Sequence, residues 1–470
     1  MLQTTLTGSY QEDTKSLSQQ LRVAESFDVV NRELESGGGK LSFYFIDGFV
    51  KDEVMEKIME FLLKAKPEDF SRGPEAFMAR MVPYVEAAVE RDIPKVITAV
   101  LSGQVALVAE GITGAVLIDA RTYPARGPEE PEDDRVLRGA RDGFTETLIF
   151  NTALIRRRIR DPYLTVQHFS VGKRSKTDVA LCYIDGSADP KLVRSLADRL
   201  KSLRVDALTM GQESLAEALL HGKWYNPFPK VRYTERPDAA AACLLEGRLL
   251  LLVDNSPAAA ILPTCLLDFA QETDDYCFPP LTGTYLRITR IGIFFLTLFF
   301  TPLWYLLVSH PQYIPPWLSF IQVQEPNSVP ILLQLFIIEF AVDGLKLASL
   351  NTPNMLSGSF SVVAALILGD FAVKTGWFVP EVILYMAFVA IANFTQPSFE
   401  LGYAFKFLRM GLLLLTGLFG VWGFGGGCVL IVLLAATNKT ISGQSYLYPL
   451  IPFHGPSLRA LLMRKPIDRH

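Results

Sequence analysis

The sequence predicts a soluble α/β (α+β) head of two related subdomains, followed by an all-α polytopic membrane bundle. Three observations carry that prediction: a change of solvent near residue 286, a repeat within the head, and ionisable residues set inside otherwise apolar stretches. Residues 286–470 hold 11 Lys and Arg against 7 Asp and Glu, a net charge of about +4 within a chain total of −4, which leaves about −8 upstream. Ile291–Val308 and Met410–Asn438 contain no charged residue. A hydrocarbon core about 30 Å thick takes roughly 20 apolar helical residues to cross.

The first 27 residues read as a flexible segment. They are polar, with no apolar run resembling a secretion signal, so the head is expected to stay on the side of the membrane where it is made. The five cysteines, with no CxxC pair, read as free thiols in a reducing compartment. Mild acidity, with no basic stripe interleaved with aromatics, speaks against nucleic acid.

Within the head, strand-like Leu41–Phe45 leads into Ile46-Asp47-Gly48 and an amphipathic helix, Asp52–Leu63. Val179–Tyr183 leads into Ile184-Asp185-Gly186 and Pro190–Leu200 in the same layout. The second halves align on a Glu-Gly pair: Val105–Glu110, Gly111 and Gly114–Asp119 against Ala240–Glu246, Gly247 and Leu249–Asp254, each read as strand, turn, strand. The first subdomain is then 28–123 and the second, with its pre-membrane segment, 163–285. Between them, 124–162 starts as an acidic, Pro-rich linker. It continues through Arg138 and Arg141 into a helix expected from Thr145 that carries Arg156, Arg157 and Arg158. That helix is either a surface element lying against acidic neighbours or lipid headgroups, or one that docks a subunit or recognises phosphate.

The transmembrane domain, 286–438, is expected to make four to six crossings ahead of a basic tail, 439–470. Arg287 and Arg290 before the first span, with no Lys or Arg in 309–328, place the head inside by the positive-inside rule. Trp304, Tyr305, Tyr313 and Trp317 fall near the far interface. The second span is 329–350. Apolar stretches at 360–368 and 382–394 follow, and the glycine-rich 410–438 is either one tilted span or a tight hairpin. Glu339 and Asp343, four apart, share a helix face, with Lys346 one turn further on. Acidic residues at mid-bilayer cost about 2.5–3.5 kcal/mol each on insertion scales, so they face a partner or water. Together with Asp370 and Glu400 they line a cation path, or they pair with bases, Asp343 with Lys346 and Glu400 with Arg409, to fix helix packing.

Other chemistry finds little support. Glu35–Leu41 (ESGGGKL) lacks the first Gly and the final Ser or Thr of a phosphate loop. No zinc-protease pair or nucleophile elbow is present, and the five His are scattered. No enzyme activity, metal or cofactor is expected. A secondary transporter is a weak rival, since no inverted repeat is evident.

Several long motifs resemble the A subunits of the GerA family of bacterial spore germination receptors. Arg138–Arg158 is similar to that family's RGPREGF…N…LIRRRI segment, with Ala140 for Pro and Asp142 for Glu. Asp268-Phe269…Glu272…Asp275-Tyr276…Arg287, Pro397–Leu401…Arg409 and Tyr446-Leu447…Phe453…Arg464 resemble its other motifs. Ser349–Pro353 and Thr395–Glu400 look closer to the stage V sporulation protein AF branch than to nutrient-receptor subunits. The resemblance implies a multi-pass protein of the spore inner membrane, a homo-oligomer among lipid and other membrane subunits of the germination complex, acting as a cation channel component in ion release. The alternative is a non-conducting scaffold or adaptor for a germinant-sensing partner. The changes at Ala140 and Asp142 leave open how the Arg segment docks.

Overall fold

The strand-forming runs of the first 263 residues build two five-stranded antiparallel sheets of one topology in the computed structural model. It describes all residues except 1–2, 83, 85, 122–138, 221–224, 273, 326–327, 352–371, 397 and 464–470. The first sheet, ordered β1-β2-β4-β5-β3, comprises β1 (Val29–Ser36), β2 (Gly39–Ile46), β3 (Ala87–Glu90), β4 (Val105–Ala109) and β5 (Ala115–Ile118). The second, ordered β6-β7-β9-β10-β8, comprises β6 (Leu164–Val171), β7 (Thr177–Ile184), β8 (Arg232–Thr234), β9 (Leu249–Val253) and β10 (Ala259–Leu262). Register repeats as well: Leu41 pairs Ala109 as Val179 pairs Val253, and Val105 pairs Ile118 as Leu249 pairs Leu262.

That register corrects the alignment of the second halves. Of Ala240–Glu246, expected as a strand, Ala240–Leu245 lies in a helix, Pro237–Leu245, and Glu246 caps it. A run of Ala, Cys and Leu with no β-branched residue, opened by a proline and closed by Gly247, favours helix over sheet. β4 matches β9 directly, and the left-handed Gly111 (φ 79°) corresponds to Asn255 (φ 61°), not to Gly247. The shared Glu-Gly pair was a coincidence of composition.

Helices cover the sheets because the central strands are apolar on both faces. On the first, α2 (Asp52–Leu62) and α3 (Pro74–Met81) pack Met55, Ile58, Leu62 and Phe77 against Leu41, Phe43 and Leu107. The opposite face takes α1 (Tyr10–Gln20) and α4 (Ile93–Leu101). The N-terminal stretch is therefore folded, not flexible. Leu17 and Leu21 enter the core, and buried Asp13 accepts hydrogen bonds from the backbone N–H groups of Thr7 (2.8 Å) and Gly8 (2.9 Å). Next come α5 (Leu148–Arg158), α6 (Pro190–Ser202), α7 (Gly211–Leu220) and α8 (Pro237–Leu245) of the second subdomain, of which α5 and α8 share the core beneath β7, β9 and β10. All five cysteines are free thiols.

The chain divides into two compact units, Met1–Gly222 with Val231–Pro263, and Lys223–Lys230 with Thr264–His470. The second unit is helical: α9 (Asp274–Cys277), α10 (Pro280–Ser309), α11 (Ile331–Asn351), α12 (Pro380–Phe394), α13 (Phe399–Thr437) and α14 (Gly455–Leu462). Among the described residues two helices, α10 and α13, are long and apolar enough to cross a membrane. The third apolar stretch, 360–368, lies outside the described residues.

α13 resolves the ambiguity of its glycine-rich run. At Gly420 the backbone leaves the helical region (φ 56°, ψ −132°), a conformation glycine adopts without a Cβ clash. A Cβ on Gly423 would collide with the Leu415 carbonyl oxygen, and one on Gly427 would stand 2.5 Å from Leu412. Leu415 and Gly423 are eight residues apart, about 12 Å along a straight helix, so such contact requires the chain to reverse. α13 is a hairpin with arms 399–419 and 421–437. We expect Gly423→Ala to abolish accumulation of the protein in membranes, because backbone cannot yield to a methyl there. Gly425→Ala and Gly426→Ala, whose Cβ would meet nothing within 4 Å, should accumulate normally on immunoblots of the membrane fraction.

Candidate functional site

Two sets of residues were singled out by sequence, the arginines of 138–158 and the carboxylates of the apolar half; each is placed here within its own unit. α5 begins at Leu148, later than expected, because the preceding loop is tied to side chains rather than to helical bonds. Asn151 accepts from the Thr145 N–H (2.8 Å) and donates to its carbonyl (2.6 Å). Asp254 takes the Leu148 N–H (3.1 Å), and buried Arg236 donates to the Ala140 carbonyl (3.0 Å).

The arginines then divide. Arg156 is fully buried: it donates to Asp28 (3.1 Å), to Ser26 (3.3 Å) and to the Leu164 carbonyl (2.9 Å). Ser26 in turn accepts from the Val166 N–H (3.0 Å). Arg156 thus staples the start of β1 to the start of β6, and a docking role for it is corrected to an internal one. Arg158 forms a double hydrogen bond to Asp142 (2.6 Å each). Arg157 and Arg141 are exposed, and Arg138 lies outside the described residues. The spacing of a helix explains the split: consecutive positions point about 100° apart, so one of three faces the core.

α5 approaches the first subdomain at Gly48 (φ 80°), where an added Cβ would meet Ile149 at 2.9 Å. Beside it, burial raises the Asp47 carboxyl above the ordinary aspartate value against the pull of the Gly48 N–H, with Asp28 and Asp52 adding repulsion.

In the helical unit the ionisable residues collect. Glu339 on α11 is buried and accepts from Arg409 of α13 (Nε 2.7 Å), while Arg409 also donates to the Thr297 carbonyl of α10 (2.7 Å). Lys406, one turn before Arg409, binds Asp343 and lies 3.7 Å from Glu339. Gln396 donates to the Thr297 hydroxyl (3.0 Å), and Gln334 of α11 accepts from the Val379 N–H before α12 (2.9 Å). The two carboxylates are therefore neutralised by bases on another helix. The expected pairings differ: Asp343 takes Lys406 instead of Lys346, and Arg409 takes Glu339 instead of Glu400. Lys346 is one turn along α11 but its ammonium lies over the rings of Phe394 (4.9 Å) and Tyr403 (5.8 Å). Glu400, at the first turn of α13, is exposed. Asp370 lies outside the described residues. Lys406 was missed by sequence. Its signal was available, since it is charged, lies within an apolar run and shares a face with Arg409.

A second network holds the pre-membrane segment. Asp275, fully buried, accepts from Arg287 (3.0 Å) and Arg290 (3.2 Å), and Arg290 also binds Glu272 and the Ala270 carbonyl (2.8 Å). Arg287 further donates to the Leu461 carbonyl of α14 (3.2 Å). Two basic residues read as membrane-flanking charges are thus internal clamps.

Two outcomes follow for the head. Arg156→Ala leaves Asp28 buried without a counter-charge and is expected to lower stability by roughly 3–5 kcal/mol, whereas Arg141→Ala should stay within about 0.5 kcal/mol, both read by thermal melting. Asp47→Asn should raise the melting temperature at neutral pH. The raised carboxyl is more easily protonated in the folded chain, so its ionisation costs stability as pH climbs from the ordinary aspartate range through the raised value; the gain from Asn should fade as pH falls through that window.

A family model described as Bacillus/Clostridium GerA spore germination protein matches residues 15–470. Stage V sporulation protein AF of Bacillus subtilis (strain 168) is 40% identical over 444 residues, 93% of this chain and 89% of that protein. Spore germination protein KA of the same organism is 28% identical over 452 residues, 94% of this chain and 82% of that protein. The crystal structure of the N-terminal domain of the A subunit of the Bacillus megaterium spore germinant receptor GerK3 aligns with 25% identity and a TM-score of 0.41, covering 56% of this chain and 96% of that one.

Proposed function

The chain belongs to the GerA family of spore germination proteins, and from that premise we propose that it is a multi-pass membrane subunit of the germination apparatus, an oligomeric cation channel component that acts in ion release. Its place is the inner membrane of the spore, among lipid and other membrane subunits, with the head on the cytoplasmic side. Support for that orientation is the absence of Lys and Arg from 309–328. The observation that carries the channel reading is α11, an otherwise apolar helix with three ionisable residues on one side, of which Asp343 keeps 28% of its side chain exposed. Such a face is costly in lipid and suits a lining shared between copies. Within one protomer Lys406 and Arg409 occupy the carboxylates, so conduction needs copies to meet along α11, not a path through a single chain.

The second reading, a non-conducting scaffold or adaptor, is favoured by that same neutralisation. A closed ionic cluster fixes which helices pair, and that alone accounts for its residues. Asp343→Asn separates the two. Because Asp343 is partly exposed and Glu339 still holds Arg409, the variant should accumulate. Severalfold slower release of monovalent cations from germinating spores is the expected result under the channel reading. Unchanged release from spores containing normal amounts of the variant would leave the scaffold.

A further inference from the structure

The internal repeat supplies its own control, because two helices occupy the same place in two copies of one frame. With the shift that superposes β2 on β7, α2 matches α6. Their inward positions agree in kind: Ile58 matches Leu196, Leu62 matches Leu200, and all four are buried. Their outward positions differ, with acids or apolar side chains on α2 where α6 has cations. Glu53 matches Lys191, Glu56 matches Arg194, Phe61 matches Arg199 and Leu63 matches Lys201. α2 carries four carboxylates against one lysine; α6 carries four cations against one aspartate.

Around α2 the surface is also unfinished. A groove of about 890 Å³ runs between α2 and the start of α5, floored by Val50, Met55, Met59 and Ile149 and rimmed by Asp52 and Glu56. Phe61 (46% exposed), Leu63 (56%) and Phe150 (44%) stand open beside it. A partner for this place must bring cations on apolar stems. Lysine and arginine side chains lay methylenes on apolar surface and keep the charge at the rim. The methionines let the floor adapt. α6 presents four such side chains along one helix, all solvent-facing in their own chain.

We propose that the α6 face of one copy seats on the α2 groove of the next copy, a head-to-tail contact that joins the heads around an assembly. The contact uses two different patches, so it propagates from copy to copy and closes where the rotation allows. Charge complementarity selects the neighbour and fixes its register, while the aromatic and methionine side chains supply the buried apolar area. It rests on the homo-oligomer of the proposed function and names the surface through which that oligomer forms.

The test uses the full-length protein purified in detergent, with mass read by light scattering. None of Glu53, Glu56, Lys191 and Arg194 forms an ion pair in the described residues, so reversing them leaves the fold intact, which an unchanged melting temperature checks. Glu53→Lys with Glu56→Lys should weaken assembly at least about tenfold, and Lys191→Glu with Arg194→Glu should do the same. All four changes together should restore it. A differently tagged pair, one copy with Glu56→Cys and the other with Arg194→Cys, should give a disulfide-linked species carrying both tags. An oligomer unaffected by either reversal, or weakened by each and not restored by the combination, overturns this interface and leaves the oligomer standing. A wild-type protein that is monomeric at every concentration overturns both.

Discussion

A charge withdrawn from water must meet its opposite, and this chain meets that demand by reaching far along its sequence. Asp28 is answered by Arg156, 128 positions on, and Glu339 by Arg409, 70 positions on. Asp275 is answered by both Arg287 and Arg290. A lone buried ion costs several kcal/mol, whereas replacing a whole buried pair with apolar groups is often neutral or better. Such pairs are therefore poor sources of net stability and effective determinants of which segments meet. β1 cannot part from β6, nor α11 from α13, without stranding a charge. The family motifs seen in the sequence coincide with these clamps: the arginine run supplies Arg156, the pre-membrane acids hold Arg287 and Arg290, and the motif at 397–409 supplies Lys406 and Arg409.

Much of the fold was legible because local and global preferences agreed. The Ile-Asp-Gly turns at 46–48 and 184–186 mark a strand ending in a left-handed glycine, and both glycines have that conformation (φ 80° and 85°). Where composition was ambiguous the reading failed. Ala240–Leu245 is apolar without β-branching, short enough for a strand, and took its assignment from a neighbouring Glu-Gly pair. The polar N-terminus concealed α1 because the buried core residues of its region, Leu6, Leu17 and Leu21, are too sparse a pattern to show a period. Contacts between distant segments, which decide that burial, leave no local trace.

Within the cluster, Glu339, Asp343 and Arg409 were legible in the sequence, while Lys406 and the pairing were not. Helix spacing brings Glu339, Asp343 and Lys346 to one side, and a local salt bridge is the cheapest inference from that spacing. The structure spends the acids on α13 instead, and the reason is burial. Lys406 and Arg409 are almost fully enclosed and have no water to turn to, while Lys346 reaches the partly exposed Phe394 and Tyr403 and finds a sufficient partner in their rings. The group with the fewest alternatives claims the counter-charge. The same logic governs Arg156: the arginine that the helix turns inward is satisfied inside by Asp28 and the Leu164 carbonyl, while Arg158, turned outward, meets Asp142 at the surface.

The hairpin and the repeat show how differently inner and outer positions are constrained. At Gly423 and Gly427 the opposing arm leaves no room for a single methyl, so backbone contact dictates the residue. On α2 and α6 the buried rows keep apolar volume in both copies of the frame, since a strand face beneath tolerates nothing else. The outer rows make few contacts within their own chain, Lys64 with Glu60 and Phe61 among them, and surface charge of either sign would serve solubility equally well. Two helices sharing a place in the repeated frame and an inward pattern nonetheless carry opposite net charge. Solvation alone supplies no force that would drive them apart in sign; a surface that must recognise the other does, because attraction across a contact depends on the product of the two charges and not on either one.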